Sequence, residues 1–201
     1  MLILRRRGTR GPSLLQDRHD GPDPAAGFAL HGCRGTVTIH ERDMTVIRII
    51  SGGQTGADRA GLDFAITHSI PHGGWCPKRR RAENGRIPAK YQLQECKNGR
   101  YSDRTKRNVL DSDATVIFTV RPYLIRGSKL TYVVAVSNRK PVLHLHAGTT
   151  EPARRLAAFI RQHRVKVLNV AGSRASQEPT VGTFVAHTLD LTLNELRRCT
   201  R

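Results

Sequence analysis

Acidic residues are scarce in this 201-residue chain: 16 Asp and Glu stand against 34 Lys and Arg, a formal net charge of +18. A field of that sign favours phosphates, nucleotides, nucleic acid or anionic lipid as partners and says nothing about fold. Aromatic residues are also few, at 5% with a single tryptophan. Single-stranded nucleic acid needs interleaved stacking platforms, so that partner ranks below a small anionic ligand. The four cysteines, Cys33, Cys76, Cys96 and Cys199, form no CxxC pair and lie far apart. Such spacing argues against a disulfide framework or a structural zinc site and makes a reducing cytoplasm the expected setting. No apolar run approaches the roughly 20 residues of a membrane span, and no apolar stretch follows Arg5-Arg6-Arg7 to build a secretory signal. The expectation is a cytoplasmic protein without a membrane partner.

Residues 1–43 are rich in Gly, Pro, Arg and Asp and hold no sustained period of 2 or 3.6. They read as a disordered N-terminal extension, with little apolar surface to offset the entropy of ordering. Residues 44–201 read as the folded, ligand-binding domain, and most of the excess positive charge lies there. Short apolar runs at 46–50, 114–120, 141–146 and 165–170 predict strands. Helical patterns fall at about 58–68, 103–110, 129–138, 151–163 and 182–197. Residues 71–100, full of Gly, Pro and charge, read as a long excursion with little regular structure, which in a compact domain is functional or mobile. Strands that alternate with helices, each nearly continuous in apolar residues, predict a mostly parallel sheet covered on both faces. The fold class expected is α/β, a single Rossmann-like domain.

In such a sheet, ligands bind beyond the carboxyl ends of the strands. The turn 51-SGGQTG-56 occupies that end of the first strand, and Gly52, Gly53, Gln54, Thr55 and Gly56 are binding candidates. Glycines there allow a tight turn and close approach of backbone to an anion at a helix N-terminus. Neither a complete GxGxxG fingerprint nor a Walker A lysine is present, so the plain alternative is a tight βα turn capped by Thr55. Asp58 in the first helical turn suits the macrodipole. Beside a phosphate it would repel, so its candidate partners are a sugar hydroxyl, a ring N–H, a metal-bound water or Arg59. A second turn, Arg126-Gly127-Ser128 with Thr131, opens another helix after a strand, and 169-NVAGSR-174 is a third. Ser128 is equally a plain N-cap.

The blocks 51-SGGQTGADRAGLD-63, 72-HGGWCPKRRRAENGRIP-88, 104-RTKRNVLDSDATVIFT-119, 127-GSKLT-131 and 168-LNVAGSR-174, in this order, resemble the molybdenum-cofactor carrier family. That family belongs to a wider group of Rossmann-like nucleotide-binding proteins with lysine-decarboxylase-like, DprA-like and YpsA-like domains. The resemblance spans about residues 45–200. It implies a self-associating protein, dimer or tetramer, that binds molybdenum cofactor of the molybdopterin type without turnover. Three places depart from the family pattern: Arg79 and Arg126 stand where glycine is expected, and 169-NVAGSRAS-176 lacks a proline and an acid. The glutamate of the related phosphoribohydrolases is absent from Leu130-Thr131-Tyr132-Val133, which counts against glycosidic hydrolysis.

The remaining candidates sit in the excursion. Gly73 and Gly74 precede Trp75, whose ring could stack on a pterin or purine, although a lone Trp is more often a core or interface residue. Lys78, Arg80 and Arg81 offer forks and charge for phosphate, against the alternative of a solvated charge run. Cys76 as a soft metal ligand competes with Cys76 as a buried small hydrophobe. His144 and His146 share a strand face without a third ligand in sight, and Asp111 and Asp113 read as turn residues. No metal site is assigned. The sequence supports a binding or carrier protein for a phosphorylated small molecule, molybdenum cofactor or a nucleotide, with no catalytic residue assigned. Two alternatives stay open: a nucleotide or nucleoside-phosphate hydrolase using Asp58 or Glu83 with a metal, and a single-stranded nucleic-acid binding protein.

Overall fold

A computed structural model describes residues 46, 48–97 and 101–198. The expectations for residues 1–43, and for Cys33 and Cys199, lie outside the described residues.

Five strands form one parallel sheet. β1 (Arg48–Ile50) pairs on one side with β2 (His72–Gly73) and on the other with β9 (Val167–Gly172). Beyond β9 come β7 (Ala114–Thr119) and β8 (Val142–His146), giving the order β2-β1-β9-β7-β8. Every residue of β7 is buried, which is why its sequence, ATVIFT, carries no alternation of apolar and polar residues. The helices α1 (Ala57–Thr67) and α4 (Pro152–Gln162) each pack against α5 (Val181–Arg198). α2 (Tyr101–Leu110) packs with α3 (Arg126–Ser137). Ile49, Phe64, Phe118, Leu145, Leu156, Ile160, Leu168 and Val185 belong to the main core. The α/β class and the four longer strands agree with the sequence.

The excursion is more ordered than its composition suggests. It supplies the edge strand β2, registered Ile49 to His72 and Ile50 to Gly73. It also supplies two small ribbons: β3 (Trp75–Cys76) with β6 (Gln94–Glu95), and β4 (Arg81–Ala82) with β5 (Gly85–Arg86). A satellite core of Leu62, Cys76, Ile87, Tyr91 and Leu93 holds it to α1. Arg80 is its rivet. The guanidinium and Nε donate to the carbonyls of Ile87 (3.1 Å), Leu93 (3.1 Å), Pro88 (2.9 Å) and Tyr91 (2.8 Å). A charged donor serving four carbonyls replaces the ladder bonds that strands of two residues cannot make.

Crossovers leave the centre of the sheet in opposite directions. α1 carries the chain from β1 outward to β2, and α3 carries it from β7 outward to β8. Between them, outside the carboxyl ends of β1, β9 and β7, the connecting turns part and leave a crevice.

Candidate functional site

The crevice is a cavity of about 130 Å³. Pockets that engulf a drug-sized molecule run to roughly 300–1,000 Å³, so this one has room for an end of such a molecule and not for the whole of it. Three walls converge on it. Gly52, Gln54 and Asp58 come from the β1–α1 turn, Arg126, Gly127, Ser128, Leu130 and Thr131 from the start of α3, and Asn169, Ala171, Gly172, Arg174 and Gln177 from β9 and beyond. α2 closes the side with Arg104, Thr105 and Asn108.

Asp58 is the buried acid of the site, 6% exposed. Its Oδ2 accepts from the backbone N–H of Gln54 (3.1 Å) and from Arg104 Nη1 (3.2 Å). Burial pushes the carboxyl above the usual carboxylate range, while Arg104, the Gln54 bond and Arg174 pull the other way. Arg104 Nη1 also donates to the Gly52 carbonyl at 2.8 Å. That contact explains Gly52: a Cβ there would stand 2.3 Å from Arg104 Nη1 and 2.8 Å from Asp58 Oδ2. The glycine makes room for a guanidinium.

Gln54 is 2% exposed and lines the cavity. Its Oε1 accepts two N–H groups, from Thr55 and from Glu83, each at 3.0 Å. Its Nε2 has no hydrogen-bond partner among the described residues. Glu83, at the tip of the β4–β5 ribbon, also accepts from the Thr55 hydroxyl, from Ser176 N (3.2 Å) and from Ser176 Oγ (2.5 Å). Partial desolvation opposes ionisation of Glu83, but the Ser176 and Thr55 bonds outweigh it and hold its pKa below the usual range. The ribbon tip is thus clamped to both the β1–α1 turn and the segment after β9.

At the start of α3 the side chains are turned inward on their own backbone. Ser128 Oγ donates to the Ile125 carbonyl (2.7 Å) and accepts from Ile125 N (3.1 Å), while Thr131 Oγ1 donates to the Gly127 carbonyl (3.0 Å). What faces the cavity is the helix N-terminus, with Arg126 as its first residue. Arg126 holds φ 45°, a left-handed conformation that glycine takes without cost. Glu178, behind this wall, accepts from Val120 N (2.6 Å) and Arg121 N (3.0 Å) and fixes the chain leaving β7.

Of the residues singled out in the sequence, Gly52, Gln54, Asp58, Arg126, Gly127, Ser128 and Thr131 meet at this cavity. The others stand elsewhere. Gly53 faces Leu93 and Ile87 of the satellite core, and Gly56 lies against the backbone of Ser173–Ala175. Thr55 is bonded to Glu83, and Arg59 to the Gly53 carbonyl (3.2 Å) and Asn84 (2.8 Å). Gly73 lies against the Arg48 side chain and Gly74 against Ser51 backbone. Trp75 donates to Asp111 (2.6 Å) and has the Arg107 guanidinium 4.3 Å from its ring centre. Lys78 and Arg81 are exposed, and Arg80 is spent on four carbonyls. Cys76 is fully buried in the satellite core, and burial raises its thiol pKa. His144 and His146 have ring centres 5.9 Å apart, and His144 is paired with Thr119 at 2.7 Å. Asp113 accepts from Lys166 N (2.9 Å) and Val167 N (2.7 Å), so it is a turn residue.

Asn169, Ala171, Gly172 and Arg174 bring the third candidate turn to the same cavity, whereas Arg104, Thr105, Asn108 and Gln177 are not singled out as site residues by the sequence. Arg104 lies in the run YSDRTKRN, where nothing in composition separates it from Lys106 or Arg107. Only the packing of α2 turns it toward Gly52, 52 residues away.

The sequence pattern of the circularly permutated YpsA SLOG family (cpYpsA) matches residues 49–193. Among solved structures, the "Putative molybdenum carrier protein" of Syntrophus aciditrophicus SB is similar, with 46% sequence identity and a TM-score of 0.72. The match covers 74% of this chain and 95% of that one. A comparison with curated proteins gave no match.

Proposed function

Since the chain belongs to the circularly permutated YpsA SLOG family, we propose that it is a binding and carrier protein for a phosphorylated heterocycle, a molybdopterin-type cofactor first and a nucleotide second. The observation that carries this reading is the lining of the crevice: Arg104, Arg126 and Arg174 against the single acid Asp58, beside the N-terminus of α3. Guanidinium groups and an open helix N-terminus suit phosphate oxygens, and the buried carboxylate keeps the phosphate on the α3 side. The name of the Syntrophus protein favours the molybdenum cargo over a nucleotide. A molybdopterin-type ligand fits the donor set at its organic end. The lining residues supply cations for a phosphate and polar groups for a heterocycle, and include no thiol or imidazole to bind the metal. This chain's residues would bind and orient the cargo, and whatever chemistry the metal supplies is exercised elsewhere.

The carboxyl groups that a hydrolase would need are tied into the scaffold, Asp58 through Oδ2 and Glu83 through both oxygens. Asp58 is bonded to Arg104 and Gln54, and Glu83 to Thr55 and Ser176. That favours a carrier over a nucleotide hydrolase. The test is native, anaerobic purification followed by mass spectrometry of the released small molecules. A phosphorylated heterocycle in near-stoichiometric amount is the expected result, falling about tenfold or more in Arg126→Ala, since one charge-assisted bond contributes on the order of 1.5–3 kcal/mol. No such molecule in wild type, together with no binding of added nucleotides, would overturn the reading.

A further inference from the structure

Gln54, which lines the cavity, has a half-finished set of hydrogen bonds. Two backbone N–H groups, from Thr55 and Glu83, converge on one end of its carboxamide. An NH₂ group cannot accept either bond, so the amide cannot be flipped, and its donor end is a buried, unpartnered Nε2 on a side chain that lines the crevice. A buried amide donor without a partner is destabilising, and proteins retain such groups where a ligand completes them. Beside it stands an acceptor. Both bonds made by Asp58 fall on Oδ2, which leaves Oδ1 as the acceptor atom of a side chain on the same cavity wall. The bond from Gln54 N to Asp58 Oδ2 ties the two residues together. A donor and an acceptor on two linked residues of one cavity wall suit a ligand edge that offers an acceptor next to a donor.

We propose that Gln54 and Asp58 read the lactam edge of the bound heterocycle, an oxo group next to a ring N–H, as in 6-oxopurines and 4-oxopteridines. Gln54 Nε2 donates to the oxo oxygen, and Asp58 Oδ1 accepts from the ring N–H. Adenine displays the reverse order, an amino group beside a bare ring nitrogen, and meets donor with donor. A site whose polar groups are left unpaired rejects the wrong analogue more strongly than one that merely loses contact area. The inference rests on the cleft holding a phosphorylated heterocycle, and it adds which heterocycle the cleft selects.

Calorimetric titration of the full chain with IMP, GMP, AMP and ribose 5-phosphate tests it. IMP and GMP should bind at least about tenfold more tightly than AMP and ribose 5-phosphate, one decade being about 1.4 kcal/mol. Gln54→Glu keeps the shape and both backbone bonds but removes the donor, and should erase the preference for IMP over AMP. Gln54→Met, which adds no buried charge, should do the same and serves where the glutamate variant does not fold. AMP binding as tightly as IMP to wild type, or ribose 5-phosphate doing so, overturns the lactam reading and leaves the anion cleft standing. Failure of all four probes to bind overturns the lactam reading, and overturns the anion cleft as well where no phosphorylated heterocycle co-purifies with the wild-type chain.

Discussion

The Asp58–Arg104 pair shows how much a single residue decides here. Both side chains are nearly out of water, at 9% and 13% exposure. A carboxyl whose folded pKa is raised holds its proton more tightly in the folded chain than in the unfolded one. Stability therefore falls as pH rises from the unfolded value of 3.8 through the folded pKa, and levels off above it. Arg104 limits that loss. Arg104→Met removes the guanidinium that opposes burial and should raise the Asp58 pKa further, widening the window. We expect a loss of about 3–5 kcal/mol at neutral pH, the usual effect of breaking a buried pair. The deficit relative to wild type should shrink as pH is lowered, because the unpaired carboxyl then neutralises itself. Urea titrations at pH 7.5 and pH 5 read this directly, and an equal deficit at both would show that Arg104 acts through packing alone. The site was legible at this scale only where local chemistry announces itself. Gly127 after a strand and Asp58 in a first turn are visible from their neighbours in sequence. The destination of a long cationic side chain is not. Arg80 and Arg104 look alike in sequence, yet one is bonded to four carbonyls and the other lines the cleft.

Helix ends carry the next level of control, and three of them end the same way. After α1, α3 and α4 the chain turns through a left-handed residue, Ser69 (φ 55°), Arg139 (φ 54°) and Arg164 (φ 49°). In each, the following N–H reaches back to close the helix: Ile70 to Ala65 O, Lys140 to Ala135 O and Val165 to Ile160 O, at 2.8 to 3.0 Å. This is the Schellman arrangement, in which glycine is the residue of least strain. The two arginines are exposed, so nothing but their backbone is committed. Arg139→Gly and Arg164→Gly should each stabilise the chain by on the order of 0.5–1 kcal/mol, the relief of left-handed strain less the entropy of glycine. At this chain length that is a rise in Tm of roughly 1–4 °C, and a fall in both variants would refute the assignment. Because these stops carry no glycine, helix ends were placed from apolar pattern alone, within about a turn. Long elements survive that treatment: the run ATVIFT reads as a buried strand with no further help. β2 does not, because two residues, His72 and Gly73, hold no period. Its pairing with β1 is set by α1 returning the chain and by the satellite core of Leu62, Ile87 and Leu93.

Charge and apolar surface oppose each other in the molecule as a whole. A net charge of +18 repels a second copy, whereas α3 displays Leu130, Tyr132, Val133 and Val136 to solvent, the last two 49% and 52% exposed. Tyr123, 52% exposed, precedes them, and β8, the sheet edge that α3 packs beside, has one side unpaired among the described residues. A run of exposed apolar side chains next to a free edge is a surface that a soluble chain covers. We propose that a second copy of this chain covers it through a two-fold contact of α3 with α3, the arrangement in which one patch serves both partners. Leu130 belongs both to this face and to the cavity lining, so association would also wall the mouth of a crevice too small to enclose a heterocycle alone. The opposing repulsion is long-ranged and screened over about 10 Å at 0.1 M salt, while apolar burial is short-ranged and indifferent to salt at these concentrations. Association should therefore strengthen with ionic strength. Light scattering at about 20 µM should give a dimer or larger species in ~300 mM salt and a shift toward monomer in ~20 mM. Val133→Glu and Val136→Glu, which put a carboxylate in the middle of the contact, should be monomeric at both. A wild-type chain that is monomeric in high salt would sink the proposal, and so would an oligomer unmoved by either glutamate.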